Sequence, residues 1–191
     1  FEELSDQAKE KALDKLRESN DFQFEAECTI DDAKNIGAIL GIDIKKVYYS
    51  GFSSQGDGAC FVGEYRYKKG SAKRIRKECN DERLFSISDS LAALQKKNNY
   101  SLVAVVKQRG RYVHSGCTTF SIHRDDDRAV SNETEEALKE ILRDFMTWIY
   151  RQLEKQYEWM MSEECLKELI EANEFEFTED GRYVVVSENL K

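Results

Sequence analysis

Few side chains in this chain are equipped for covalent or metal chemistry. It has two histidines, His114 and His123, and five cysteines, Cys28, Cys60, Cys79, Cys117 and Cys165. A metal centre needs imidazole and thiolate ligands at close spacing. The best cluster is His114, Cys117 and His123, with Cys60 from a neighbouring hairpin. Successive strand residues face opposite sides, so His114 and Cys117 are expected to point apart unless Gly116 forms a bulge. The same residues supply the histidine–thiol pairs for nucleophilic catalysis, yet no elbow or oxyanion-type motif surrounds either Cys60 or Cys117. The reading is of buried thiols and partly exposed imidazoles, with no catalytic residue, no metal and no cofactor.

Groups suited to binding are more abundant. The run Tyr48 to Tyr67, YYSGFSSQGDGACFVGEYRY, places eight residues of loop chemistry between two aromatic and β-branched stretches. Its glycines form neither GxGxxG nor a Walker sequence, and a strand follows where a phosphate cradle would run into a helix. The loop instead offers Ser53, Ser54, Gln55 and Asp57 to a partner, on a scaffold of Tyr48, Phe52 and Phe61. A basic run, Arg66, Lys68, Lys69, Lys73, Arg74, Arg76 and Lys77, joined by Lys107, Arg109 and Arg111 from another hairpin, suits phosphates, with Tyr65, Tyr67 and Tyr112 as stacking surfaces. Asp125, Asp126 and Asp127 lack the spacing of a calcium loop and read as a solvated turn. Glu3, Asp6, Glu10 and Asp14 form a carboxylate row along the first helix, free for a basic partner.

Charge is partitioned along the chain. Residues 1–32 carry 11 acidic and 4 basic side chains, residues 33–131 carry 10 and 18, and residues 132–191 carry 16 and 7, giving the net −8. Opposite faces of opposite potential, or ends folded back on the middle, follow from that pattern.

The elements that position these groups follow from periodicity and punctuation. Leu4, Ala8, Ala12, Leu13 and Leu16 set a helix from Glu2 to Ser19 with Ser5 as N-cap. A second helix spans Thr29 to Leu40 and stops at Gly41. Strands are expected at Asp43 to Phe52, Ala59 to Tyr67, Ser101 to Gln108 and Tyr112 to His123, the last two joined tightly at Arg109, Gly110 and Arg111. Helices are expected at Ala72 to Cys79 and Asp81 to Lys97. Ser131 to Ala172 reads as one long helix broken near Ser162, so broadly apolar that it must be sandwiched between the sheet and another element. A short hairpin, Phe175 to Thr178 with Tyr183 to Ser187, ends the chain. Hairpins and helices in blocks, without βαβ alternation, predict an α+β fold with an antiparallel sheet packed by helices.

At 191 residues a single domain is the expectation, 1–123 as a core and 124–191 as a helical and hairpin extension. No apolar run approaches the length of a membrane span, and no secretory leader is visible. Five widely spaced cysteines without CxxC favour free thiols in a reducing cytoplasm. Phe1 stands where an initiator Met is expected, which reads as a native start lying upstream.

At FEELSDQAKEKALDKLRES, SGFSSQGDGACF and RGRYVHSGC the chain resembles a family of phage and bacterial mobile-element proteins labelled as the antitoxin of a toxin-antitoxin stability system. The likeness covers roughly residues 1–120, and residues 124–191 lie outside it. It implies a short strand before the first helix at the native N-terminus. It also implies a small cytoplasmic accessory protein in a host bacterial cell, acting by protein–protein contact. The function expected is a non-enzymatic inhibitor of a host toxin or a nucleic-acid-processing defence complex, as an antitoxin or anti-CRISPR protein acts. The alternative, read from the basic middle, is a nucleic-acid-binding accessory protein. Neither involves a membrane.

Overall fold

The computed structural model describes residues 1–20, 22–126 and 128–184. In chain order the elements are α1 (Asp6–Ser19), α2 (Phe22–Leu40), β1 (Ile42–Tyr49), β2 (Ala59–Arg66), α3 (Ser71–Glu78), α4 (Glu82–Lys97), β3 (Leu102–Gln108), β4 (Thr118–Arg124), α5 (Asn132–Met161) and α6 (Glu163–Ala172). The fold is α+β. The chain divides into two compact units, Glu27–Glu154 and Phe1–Ala26 with Lys155–Lys191.

In the first of these, the strands form one antiparallel sheet in the order β1-β2-β3-β4. A register shift between Ile44 and Lys46 sends both Lys45 and Lys46 outward. Ile42, Ile44 and Val47 therefore all stay in the core. Gly63 is needed opposite this bulge, because a Cβ there would sit 2.1 Å from the Asp43 carbonyl oxygen. Gly41 ends α2 at φ 89°, as its position predicts.

The helices reach one face of the sheet. Gly37 of α2 lies against Ile44, Gln95 of α4 bonds Tyr65, and Phe145 of α5 packs edge-on to Phe61 at 6.1 Å. Buried Gln95 also completes β3, its Nε2 donating to the Leu102 carbonyl at 2.8 Å and its Oε1 accepting from the Leu102 N–H at 3.2 Å. Burial pushes the Tyr65 hydroxyl up to about 12. The opposite face presents Lys46, Glu64, Lys107, Thr119, Ser121 and His123 to solvent.

The other unit is built on Leu13, Leu166 and Ile170, with Phe1, Leu16, Phe175 and Phe177 packed against them. Ser5 caps α1, accepting from the Ala8 N–H at 3.3 Å. The break expected near Ser162 is real: its hydroxyl accepts from the Cys165 N–H and opens α6. Arg17 and Asn20 hold the last carbonyls of α5, at Met161 and Met160. Among the described residues the terminal hairpin holds the bridge Phe177 with Tyr183, and its expected residues 185–187 lie outside them.

Several boundaries differ from expectation, the first of them the start of α1, at Asp6 and not Glu2. The α2 helix begins at Phe22, seven residues before Thr29. The first strand ends at Tyr49, because the Ser50 N–H bonds the Gly58 carbonyl and closes the loop early. In place of a tight turn at Arg109, Gly110 and Arg111, the chain runs out to a 3-10 turn at Ser115–Cys117, and β4 starts only at Thr118. The Arg109 N–H bonds the Cys117 carbonyl at 2.8 Å, so a nine-residue loop replaces the hairpin turn.

Candidate functional site

One end of the sheet gathers aromatic rings and lysines. Tyr67 follows β2, Tyr100 precedes β3, and their rings pack against each other tilted, at 4.6 Å and 36°. Tyr100 is 48% exposed. It holds φ 60°, directly after Asn99 at φ 55°, a left-handed pair that bulky residues rarely adopt. The surrounding structure enforces it. The Tyr100 N–H bonds the Gln95 carbonyl at 2.7 Å. Arg124 donates to both the carbonyl and the side-chain oxygen of Asn98, and Ser101 bonds the same carbonyl.

Around this pair lie the first turn of α3 and the last turn of α4. These helices form a hairpin tied by Arg76 to Asp89. Its connector is at the far end, so Lys68, Lys69 and Lys73 share an end with Lys96 and Lys97. All five are exposed. Lys68 donates to the Ala38 carbonyl at 2.7 Å, and none of the five has an ion-pair partner among the described residues. A shallow cleft of about 560 Å³ adjoins Tyr67, lined also by Lys34, Arg66 and Lys68 with Asp43 as its carboxylate.

The expected basic patch is therefore divided. Arg66 is engaged by Asp125, Arg74 by Glu78 and Arg76 by Asp89, whose hydrogen bonds hold the Arg76 guanidinium above its ordinary value. Lys77 is exposed further along α3. Lys107, Arg109 and Arg111 stand at the opposite end: Arg66 pairs across with Val103, and five steps along β3 at about 3.3 Å each separate Val103 from Gln108. Of the expected stacking residues, Tyr65 is buried in the core and Tyr112 is exposed at the far end, which leaves Tyr67. Tyr100 was not anticipated, nor were Lys96 and Lys97. The signal was the Asn98–Asn99 helix stop, which places the next residue at a turn.

At the other end of the sheet, the loop of Ser53, Ser54, Gln55 and Asp57 is tied to itself. The Asp57 carboxylate accepts from the Ser54 N–H at 2.7 Å and the Ser53 N–H at 3.0 Å. These bonds, the Ser54 one foremost, hold its carboxyl below the usual range. Asp57 is thus a staple, while Ser53, Ser54 and Gln55 keep exposed side chains. The scaffold is also different. Phe52 stacks between Tyr49 and Tyr150, and the Tyr150 hydroxyl donates to the Gly51 carbonyl. Tyr48 faces the other way, under Lys46.

The 3-10 turn corrects the histidine–thiol reading. His114 Nε2 lies 3.2 Å from Cys117 Sγ, so the two meet instead of pointing apart. Nδ1 of the same ring accepts the Gly116 N–H at 3.2 Å. Cys60 is fully buried beside this turn, and burial pushes its thiol up to about 11. His123 sits on the exposed sheet face, paired across with Val103. No cluster of three or more metal-ligating side chains occurs among the described residues.

Asp125, Asp126 and Asp127 divide. Asp125 pairs with Arg66, and Asp126 is gripped by Arg128 and Arg124, which hold its carboxyl well below the usual range. Asp127 lies outside the described residues. On α1, Asp6, Glu10 and Asp14 are exposed along one side. Glu3 precedes the helix, and Asp14 is held by Arg17 at 2.7 Å. The same unit has an apolar groove of about 650 Å³, floored by Ala12, Leu16, Leu169 and Phe175 and rimmed by Lys11, Lys15 and Arg182.

Among described residues no helix is long and apolar enough to cross a membrane. A family model described as a domain of unknown function, DUF8835, matches residues 26–163. No curated protein and no solved structure matches the chain.

Proposed function

We propose, for a chain that belongs to the DUF8835 family, a non-enzymatic role in binding nucleic acid through the lysine-rich end of the sheet unit. The observation that carries this reading is that five exposed lysines lie at the end of the α3–α4 hairpin that also carries the packed pair Tyr67 and Tyr100. Phosphates attract such a cluster by releasing condensed counterions, a term that depends on local charge rather than on the net −8 of the chain. The acidic excess belongs to residues 1–32 and 132–191, outside the segment that carries the lysines. Five free thiols suit a reducing cytoplasm.

The test is fluorescence anisotropy with labelled oligonucleotides across a salt series, comparing the wild type with Lys69→Glu, Lys73→Glu and Lys97→Glu combined. Tight binding at low salt, a steep fall with salt and a shallower slope in the variant are expected. Equal, salt-independent affinities would overturn the reading.

A second reading rests on α1, where Asp6 and Glu10 are exposed and have no ion-pair partner among the described residues. Such a row suits a basic groove on a protein. With the resemblance to antitoxins, it supports inhibition of a toxin or a defence nuclease in a host bacterial cell. Co-purification of one host protein, lost on reversing Asp6 and Glu10 to Lys, is the expected result. Retention by that double reversal would remove α1 from the interface.

A further inference from the structure

We infer that the nucleic acid bound at this end is single-stranded, with one base stacked on the exposed side of Tyr100 and Tyr67 backing the ring. The inference rests on the nucleic-acid reading and adds the class of strand and the residue that grips it.

Three observations converge. First, Tyr100 is a large ring nearly half exposed, and it is not loose: Tyr67 supports it at 4.6 Å. Second, its left-handed backbone is anchored by the bond of its own N–H to the Gln95 carbonyl, and Asn98, two residues before it, is held by Arg124 and Ser101. A strained position kept by surrounding bonds presents the ring in one orientation before any ligand arrives. Third, the available cations are lysines, whereas Arg66, Arg74, Arg76 and Arg124 are all engaged by Asp125, Glu78, Asp89 and Asn98. Lysine ammonium groups meet phosphates as point charges. The planar guanidinium forks that read base edges in a duplex groove are already occupied here. A duplex keeps its base faces inside the stack, while a single strand offers them to an aromatic platform and needs no edge readout.

The site should therefore bind single strands with little sequence preference, a base on Tyr100 and flanking phosphates on Lys69, Lys73, Lys96 and Lys97. The test uses the full chain, a labelled oligothymidine and a duplex of equal length, with Tyr100→Phe, Tyr100→Leu and Tyr100→Gly. Preference for the single strand is expected, with Tyr100→Phe close to wild type. Tyr100→Leu and Tyr100→Gly should each weaken single-strand binding by about fivefold or more. Tyr100→Gly separates binding from folding, because glycine accepts the positive φ without strain and Tm should hold while affinity falls. Equal affinity for the duplex, or unchanged single-strand affinity in both Tyr100→Leu and Tyr100→Gly, overturns the inference. If the lysine reversals still abolish binding, the wider reading stands without it. If the wild type binds no oligonucleotide at low salt, both fall.

Discussion

Trp148 donates its indole N–H to Asp81 Oδ2 at 2.8 Å, while Oδ1 of the same carboxylate accepts the Arg83 and Leu84 N–H groups that open α4. One side chain thus caps a helix and satisfies a buried indole on α5. Arg83 with Asp144 adds a second tie between these helices at 2.7 Å.

Replacing Asp81 by Ala removes a cap and leaves the Trp148 N–H buried without that partner. Loss of the cap costs about 1 kcal/mol and the unsatisfied donor about 1–3 kcal/mol. A decrease in unfolding free energy of about 2–4 kcal/mol in urea melts is expected. Asp81→Asn should recover part of it, because its amide oxygen still caps.

The loop at Gly51–Gly58 separates its residues by role. Gln55→Ala should leave the amide spectrum of the loop unchanged, whereas Asp57→Ala should shift the Ser53 and Ser54 amides together. The sign with pH follows from the depressed carboxyl of Asp57. Its bonds contribute above the unfolded carboxyl value of about 3.9 and are lost as pH falls through the lower folded value. An NMR titration of the two amides should show a midpoint below that of a free aspartate.

Thiol reactivity should track burial. Cys28 is exposed and should react first with a disulfide reagent at mild alkaline pH, while Cys60 should react only on unfolding. The Cys60 thiol rises from 9.0 to about 11 in the fold, so its contribution to stability is complete below pH 9.0 and is lost between there and about pH 11. Cys60→Ala should flatten that alkaline loss, read from melting temperature against pH.

Reversing Arg109 and Arg111 to Glu should leave oligonucleotide binding within about twofold of wild type at physiological salt, where the Debye length is about 8 Å and these residues lie beyond it from the lysine cluster. A loss matching that of the Lys69, Lys73 and Lys97 reversal would mean that the two ends of the sheet act as one surface.

Much of the architecture was legible because it is local. Ser5, Gly41, Asp81 and Ser162 each signal a helix end by a hydrogen bond or a φ value that involves neighbours within a few residues. The apolar periodicity of Leu138, Leu142, Phe145 and Ile149 likewise required only the helical repeat. The sequence also placed Tyr67 and the lysines beside it in one basic, aromatic segment. It could not separate free cations from paired ones, since the carboxylates that engage Arg66 and Arg76 come from Asp125 and Asp89, distant in sequence or on another helix. Nor could it place Tyr100, which follows the Asn98 turn that Arg124 holds from the end of β4. The turn that brings His114 onto Cys117 was hidden for the same reason, because closure of the loop by Arg109 and Cys117 overrode strand alternation. Local chemistry sets where helices and strands begin and end. Which charges stay free and which rings face out are decided by partners that only the tertiary fold brings within a few ångströms.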